Sequence, residues 1–256
     1  MSDVFRHSPP QFFVTPSMLE GNEVFLTGDA FRHAAAQRLS KGEIFWAVLE
    51  GTVHEVEVTG SGPGRLTGRI IASRPAEVPP FSVHLYAALL KGDKFDLVVE
   101  KTTELGVSSI TPLITNRTVP RLTYEKVALR RSRWEKIARA ASEQCKRFTI
   151  PRIADVMTYR ELMDSDVPGI KLLAHERREI SAPLEDCLGG SNEVSILIGP
   201  EGGFDEGEAE VAFSRGFRLV SLGPYVLRAE TASVAAVALV VNRLSRVCFP
   251  PVTVNP

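Results

Sequence analysis

From Pro80 onward the chain alternates short apolar runs with longer amphipathic stretches, and this alternation restricts the fold more than any other feature. Apolar runs at Val83–Leu90 and Ile110–Thr115 flank a predicted helix at Lys94–Leu105, after which Gly106 can adopt the left-handed conformation. Further strands are predicted at 170–174, 194–198 and 219–222, and further helices at 124–146, 205–215 and 230–246. The pattern is typical of α/β proteins with a largely parallel sheet covered by helices, which bind ligands at the carboxyl ends of the strands.

The residues before Pro80 follow a different pattern, in which short β-favouring runs are separated by glycine-containing turns. These runs lie at 23–27, 44–49, 53–59 and 66–72. They predict a small antiparallel barrel, with one helix at Phe31–Ser40 between the first two strands. The segment Ser73–Pro80 contains three prolines and is therefore a stiff, extended boundary. We expect a first domain at 1–74 and a second at 81–249.

Composition excludes several classes of protein. The 256 residues, of which 44% are hydrophobic, suffice to build one large core or two modest ones. The three cysteines lie far apart and the five histidines show no metal-ligand spacing, so we expect reduced thiols and no metal. The longest apolar run, Val234–Val241, is much shorter than the roughly 20 residues of a membrane span. The N-terminus lacks the apolar stretch of a signal peptide, which predicts a cytoplasmic protein without a membrane partner.

Charge is distributed unevenly along the chain. The formal net charge is −1, but the segment Arg117–Arg147 contains ten basic and three acidic residues. A cluster of this kind is what an anionic partner such as RNA or DNA requires. The alternative is a solvated helix face whose charges are balanced by acidic neighbours in space.

Three predicted strands lead directly into unusual loops. The loops are His175-Glu176, then Gly199-Pro200-Glu201-Gly202-Gly203-Phe204, and then Gly223-Pro224-Tyr225-Val226-Leu227-Arg228. Glycines permit a close approach of the backbone to a ligand, and the second Gly-Pro pair argues against two incidental turns. Neither glycine loop matches a phosphate loop or a dinucleotide fingerprint, which disfavours both of those sites. If the three strands are neighbours, their loops converge on one pocket.

The start of the last predicted helix carries a basic residue, Arg228. A cation at a helix N-terminus opposes the helix dipole, so an arginine there suggests an anionic group or a developing negative charge nearby. Glu230 and Thr231 follow within the first turn and can cap the free N–H groups of that turn.

Several motifs, in this order, resemble those of the RsmE family of 16S ribosomal RNA methyltransferases. They are Lys-Thr-Thr-Glu-Leu-Gly at 101–106 with Ile-Thr-Pro-Leu at 110–113, Glu-Gln-Cys-Lys-Arg at 143–147, Leu-Ile-Gly-Pro-Glu-Gly-Gly-Phe at 197–204, and Leu-Gly-Pro-Tyr-Val-Leu-Arg-Ala-Glu-Thr-Ala at 222–232. The resemblance implies methylation of uracil N3 with S-adenosylmethionine as the donor. It also implies a knotted α/β domain of the SPOUT class with a parallel sheet, a PUA-like N-terminal β-barrel that binds RNA, and a homodimer acting on 16S rRNA or the small ribosomal subunit.

The resemblance assigns roles to individual residues. The cofactor-binding positions of the family fall on Leu173, Ala174, His175, Gly199, Pro200, Glu201, Gly202, Leu222, Gly223, Leu227 and Thr231. Arg228 matches the arginine near the reacting centre, where we expect it to stabilise negative charge on the uracil oxygens. Glu201 and Glu230 are the candidates for the general base, with water as the competitor. The RNA-binding candidates are Arg6, Arg32, Arg38, Lys91, Lys101, Arg117 and Arg147.

The chain departs from the family pattern at three positions. Tyr225 stands where relatives commonly carry arginine, Lys146 replaces a glycine, and Gln11 stands where an arginine is usual. These changes affect expected RNA contacts rather than the reaction. Two other functions remain open: a non-catalytic RNA-binding assembly factor of the same fold, and an α/β hydrolase or nucleotide-binding enzyme. The second would need a Gly-x-Ser-x-Gly elbow or a phosphate loop, and the sequence has neither.

Overall fold

The computed structural model of the protein describes residues 8–119, 124–176 and 181–248, which form two compact units. Of the described residues, the first unit comprises those up to Val78 together with Ser142–Thr149, and the second comprises those within 79–141 and from Ile150 to Cys248. The first division along the chain lies between Val78 and Pro79, and the domain bounds 1–74 and 81–249 stay a prediction. The position of 142–149 with the first unit is a feature that the sequence did not indicate.

The first unit is built on one mixed sheet with the strand order β1-β4-β5-β6-β3-β2. Its strands are β1 (Gln11–Phe13), β2 (Leu19–Glu20), β3 (Glu23–Thr27), β4 (Ile44–Leu49), β5 (Thr52–Gly62) and β6 (Arg65–Pro75). Neighbouring strands are antiparallel except β1 and β4, which pair in parallel. Alternate residues of β3 and β4 point into a core that includes Phe12, Leu26 and Phe45, all fully buried.

One helix, α1 (Gly28–Ala36), follows β3 and packs on the same core through Ala34. We expected this helix at Phe31–Ser40, but it begins and ends earlier. Its C-cap is Gln37, and Arg38 then adopts a left-handed backbone conformation with φ of 57°. Because a left-handed residue cannot continue a right-handed helix, the helix stops before Ser40.

The segment 142–149 is held in the first unit by one buried and two partly buried hydrogen bonds. The Glu143 carboxylate accepts a hydrogen bond from the backbone N–H of Phe13 at 3.0 Å and lies 2.9 Å from Nδ1 of His33. Gln11 Nε2 donates to the carbonyl oxygen of Arg147 at 2.7 Å. Residues far apart in sequence thus join β1 and α1 to the segment 142–149.

The second unit is built on a sheet whose pairs are all parallel, as predicted, with the order β10-β8-β7-β13-β11-β14-β12 and β9 beside β8. Its strands are β7 (Ser82–Ala88), β8 (Ser109–Ile114), β9 (Arg152–Ile153), β10 (Met157–Thr158), β11 (Ile170–Ala174), β12 (Ala182–Pro183), β13 (Glu193–Ile198) and β14 (Arg218–Ser221). The helices are α2 (Lys94–Leu105), α3 (Tyr124–Gln144), α4 (Tyr159–Asp164), α5 (Glu206–Ser214) and α6 (Ala229–Cys248). Gly106 ends α2 in the expected left-handed conformation, with φ of 101°.

Helix α6 covers the centre of this sheet. Its buried face includes Ala236, Val237, Val240 and Leu244, and the helix packs against α2, β7 and β13. By length and composition alone α6 could cross a membrane. The apolar residues of its buried face instead form part of the core of the second unit, which accounts for the apolar run at Val234–Val241.

Candidate functional site

The strands β13, β11 and β14 are neighbours, so their carboxyl ends meet at one edge of the sheet. Leu173 pairs with Leu197 on one side and with Leu219 on the other, which brings the three following loops together. These loops line a cavity of about 390 Å³. Its size lies within the range of roughly 300–1,000 Å³ that small-molecule sites occupy.

Most of the candidate cofactor and catalytic residues line this cavity. They are Ala174, His175, Gly199, Pro200, Glu201, Leu222, Gly223, Leu227 and Arg228. Four other candidates do not line the cavity that the described residues form. Leu173 and Glu230 are buried, and Gly202 and Thr231 are exposed.

Several residues of the wall were not among the cofactor or catalytic candidates named from the sequence, although four of them lie in the three loops that were predicted to converge. They include Lys94, Glu176, Ile198, Phe204, Tyr225, Val226 and Ala232. Lys94 begins α2, which follows β7, and β7 is the neighbour of β13. Its place after the carboxyl end of a strand could have identified Lys94 as a site residue. That inference would have required knowing that β7 lies beside β13 in the sheet.

The loop after β13 needs glycine at two positions for different reasons. Gly203 has φ of 66°, in the left-handed region that favours glycine, and its N–H donates to the Pro200 carbonyl at 2.9 Å to close a tight turn. A Cβ on Gly199 would lie 3.1 Å from the Phe204 ring, so the aromatic side chain packs directly on the backbone there. At these two positions the loop therefore presents backbone without a side chain of its own.

Residues after β8 support this loop from the side. Asn116 donates from Nδ2 to the Asp205 carboxylate at 2.7 Å, and its N–H donates to Glu208 at 2.8 Å. Asp205 and Glu208 also form a reciprocal capping box at the start of α5. The hydrogen bond from Asn116, followed by that from the Glu208 N–H, lowers the pKa of Asp205. Arg117 donates to the carbonyl oxygen of Gly202.

The two candidate general bases both contact Lys94. Its Nζ lies 3.6 Å from Oε1 of Glu201 and 3.5 Å from Oε1 of Glu230. The Lys91 N–H also donates to Oε1 of Glu201 at 3.2 Å. Burial is the largest single influence on the Glu201 carboxyl and acts to raise its pKa. Hydrogen bonds from its own N–H and that of Lys91, with the Lys94 charge, outweigh burial and leave the pKa of Glu201 lowered.

The rim of the cavity is formed by the residues that precede α6. Tyr225 is 82% exposed and Val226 is 75% exposed, and both line the opening beside Arg228. The Arg228 side chain is exposed, and its carbonyl oxygen accepts a hydrogen bond from the Ala232 N–H at 2.7 Å, which begins the helix. An aromatic ring and a guanidinium group are thus both available to a molecule that approaches the cavity.

The RNA-binding candidates occupy different settings. Arg6 lies outside the described residues. In the first unit Arg32 is exposed and paired with Asp29, Arg38 is exposed, and burial lowers the pKa of Arg147. In the second unit Lys91 and Arg117 are exposed, and Lys101 lies between two glutamates of its own helix.

The basic helix α3 is partly balanced by acidic neighbours. Arg131 pairs with Glu135 and Asp155, and Arg133 lies 2.5 Å from Asp96. The alternative of a charge-balanced helix face therefore applies to this part of the segment. In the part of the chain that the structure describes, no group of three or more His, Cys, Asp or Glu side chains could hold a metal ion.

The departures from the family pattern have structural settings of their own. Gln11 is 1% exposed and donates to a backbone carbonyl, so the position lies inside the first unit. Lys146 has φ of 64°, in the left-handed region that favours glycine, which gives a physical reason for the glycine of the family pattern. Tyr225, in contrast, lies at the rim of the cavity.

Comparison with known sequences identifies the family. The model of an RNA methyltransferase domain matches residues 77–241, which is more than half of the chain. Ribosomal RNA small subunit methyltransferase E of Mesomycoplasma hyopneumoniae is 30% identical over 227 residues, covering 88% of this chain and 95% of that protein. The protein of the same name from Bacillus subtilis is 29% identical over 238 residues, covering 89% of this chain and 93% of that protein.

Solved structures agree with the sequence comparison. Ribosomal RNA small subunit methyltransferase E from Neisseria gonorrhoeae, crystallised with S-adenosyl methionine, has a TM-score of 0.81 at 31% identity and covers 90% of this chain and 96% of its own. A methyltransferase structure from Legionella pneumophila with the bound cofactor SAM has a TM-score of 0.84 at 28% identity and covers 94% and 98%. This chain belongs to the ribosomal RNA small subunit methyltransferase E family of RNA methyltransferases.

Proposed function

We propose that this protein transfers a methyl group from S-adenosylmethionine to N3 of a uridine in 16S ribosomal RNA. The observation that carries the proposal is the cavity at the ends of β11, β13 and β14, lined by a backbone-exposing glycine loop and by Arg228. Ligands of parallel α/β sheets bind at this edge. The family, and the S-adenosyl methionine bound in the relative from Neisseria gonorrhoeae, identify the ligand class.

The residues of the cavity suit this cofactor. Backbone N–H and C=O groups of Gly199 and Gly223, with the C=O group of Pro200, offer hydrogen-bond partners for its polar ends. Leu222 and Leu227 supply apolar surface for the adenine and thioether parts. When bound, the cofactor supplies an electrophilic methyl group on a positively charged sulfur.

The chain must lower the cost of removing a proton from uracil N3, whose lone pair is delocalised in the imide. Arg228 stabilises the negative charge that develops on the uracil oxygens. Hydrogen-bond donors that stabilise an oxyanion lower the activation free energy by about 3 kcal/mol each, and we expect a similar contribution from Arg228. The lowered pKa of Glu201 makes it a weaker proton acceptor than an ordinary carboxylate. Glu201, Glu230 and water remain the candidates for the base. Because N3 lies on the pairing edge, the target base must be unpaired or flipped out.

The finer features of the fold are part of the same proposal. The first unit is a PUA-like barrel that binds RNA, and the second is a SPOUT domain with a knot. Support for the knot comes from β13 lying between β7 and β11 while α6 returns to pack on β7 and β13. Half-buried Val234 and Leu239 on α6 give a homodimer an apolar contact surface. Small-subunit rRNA in the cytoplasm is the partner.

A calorimetric titration with S-adenosylmethionine tests the cofactor site. Ala232→Phe fills the cavity from α6, and Val211→Phe, on the exposed surface of α5, is the matched control. We expect wild type and Val211→Phe to bind and Ala232→Phe not to bind, with all three melting at similar temperatures. Binding by Ala232→Phe as tight as wild type would remove this cavity from consideration.

A second experiment separates the enzyme from a non-catalytic assembly factor. Purified protein is incubated with labelled S-adenosylmethionine and unmodified small ribosomal subunits, and the methylated nucleotide is mapped. We expect one uridine modified at N3, a change that blocks base pairing and stops reverse transcription. Arg228→Ala should bind the subunit but turn over about 100-fold more slowly. Binding of both partners without turnover would support the assembly factor instead.

A further inference from the structure

Lys94 occupies a position that no part of the proposed reaction uses. It is the first residue of α2 and lines the cavity, and its side chain is 38% exposed. Its ammonium group lies 3.6 Å from the Glu201 carboxylate and 3.5 Å from that of Glu230. These two carboxylates belong to different elements: Glu201 to the loop after β13, and Glu230 to the first turn of α6.

The environment of Glu230 makes the lysine important. Glu230 is 9% exposed, and its Oε2 is buried without a hydrogen-bond partner among the described residues. A buried carboxylate is costly unless a cation or hydrogen-bond donors compensate for the lost water. Lys94 is the cation that the structure places beside it. Removal of the ammonium group would leave the carboxylates of Glu201 and Glu230 without the cation that both of them contact.

We infer that Lys94 is a positioning residue that holds the glycine loop and the start of α6 at a fixed separation. Through Glu201 it fixes the loop that contributes Gly199 and Gly203, and through Glu230 it fixes the turn that follows Arg228. The methyl donor and the uracil meet between these two walls, so the inference rests on the proposed function. A displacement of about 1 Å between reacting groups can cost about 100-fold in rate.

Lys94→Met and Lys94→Arg test the inference. Methionine keeps an unbranched, similar length without the charge, whereas arginine keeps the charge and can pair with both carboxylates. Arg215→Met is the control, because it removes a solvent-exposed ion pair with Asp164 in the same unit. The measurements are the Kd for S-adenosylmethionine, kcat and KM for small-subunit RNA, and the melting temperature.

For Lys94→Met we expect about tenfold weaker cofactor binding and about 100-fold lower kcat, with KM for RNA nearly unchanged. Lys94→Arg should return kcat to within about fivefold of wild type, and Arg215→Met should behave as wild type. A lysine that only contacted RNA would raise KM and leave kcat intact. That result, or unchanged kcat and Kd in a folded Lys94→Met protein, would overturn the inference.

A double-mutant cycle tests whether Lys94 acts through Glu230, and its Glu230→Gln arm can be measured alone if Lys94→Met does not fold. Glu230→Gln keeps the shape of the side chain and removes its charge. If Lys94 acts through Glu230, Lys94→Met should lower kcat much less in the Glu230→Gln background than in wild type. Additive effects would overturn the inference, as would full kcat in Glu230→Gln. Failure of wild type itself to bind S-adenosylmethionine would instead count against the proposed function.

Discussion

The Arg117 guanidinium donates a hydrogen bond from Nη1 to the carbonyl oxygen of Gly202 at 2.7 Å. Arg117 follows β8 and Gly202 follows β13, and β7 lies between these two strands in the sheet. The hydrogen bond therefore connects residues that follow two strands, β8 and β13, that are separated in the sheet by one other strand. It ties the glycine loop of the cavity to the first residue of the basic segment, so a residue expected to bind RNA also supports the cofactor loop.

Arg117→Ala should weaken cofactor binding as well as RNA binding. Loss of one exposed hydrogen bond from a charged donor corresponds to about 1 kcal/mol, or roughly fivefold in Kd for S-adenosylmethionine. Calorimetric titration of the cofactor, without RNA, measures this effect directly. Unchanged cofactor affinity together with weaker RNA binding would show that Arg117 serves RNA alone.

Tyr225→Ala should weaken the interaction with RNA and leave the cofactor Kd unchanged. The ring is largely exposed at the rim of the cavity, where an unpaired base can stack on it. Stacking of a base on an aromatic side chain is worth about 1–3 kcal/mol, so KM for RNA should rise at least about fivefold. Tyr225→Phe keeps the ring and should keep the KM. A loss of cofactor binding in Tyr225→Ala would assign the ring to the cofactor instead.

Lys146→Gly should stabilise the protein by about 1 kcal/mol. The left-handed backbone at this position strains a residue that has a Cβ, and glycine removes the strain. Urea denaturation of wild type, Lys146→Gly and Lys146→Ala measures the difference. The alanine variant keeps the Cβ and should gain nothing, so equal gains in both variants would point to loss of the lysine charge as the cause.

Glu143→Gln should destabilise the protein by about 2 kcal/mol. The buried carboxylate receives the Phe13 N–H and faces His33, and hydrogen bonds to a charged group contribute about 1.5–3 kcal/mol. The denaturation midpoint reports the loss. Gln37→Ala, which changes only the exposed contact on the other side of His33, is the control and should stay within about 0.5 kcal/mol of wild type.

Asp205→Asn should make the protein less sensitive to acid. Because hydrogen bonds lower the native pKa of Asp205 below its ordinary 3.8, the carboxylate stabilises the folded state fully above that value. This contribution is lost as the pH falls through the native pKa. Asparagine still caps α5 but does not titrate, so its free energy of unfolding should fall less between pH 5 and about pH 3. Parallel pH profiles for the two proteins would contradict this assignment.

Local patterns in the sequence were enough to place the main elements of the fold. The predicted strands at 23–27, 44–49 and 170–174, and the helix Lys94–Leu105, coincide with the observed elements. Hydrophobic periodicity and glycine positions are local properties, and each of these elements satisfies them within its own residues. The short strands β9, β10 and β12 carry too few residues to show any period, which explains why they were not predicted.

Only the tertiary structure decided which residues meet. Lys94 reaches Glu201 and Glu230, and the segment 142–149 joins the first unit, because strand order and long-range packing bring together residues that are far apart in sequence. The loops after the three strands could be recognised one by one from the sequence. Their convergence on one cavity depends on β13 and β14 flanking β11. Local sequence patterns identify strands but do not specify which strands become neighbours in the sheet.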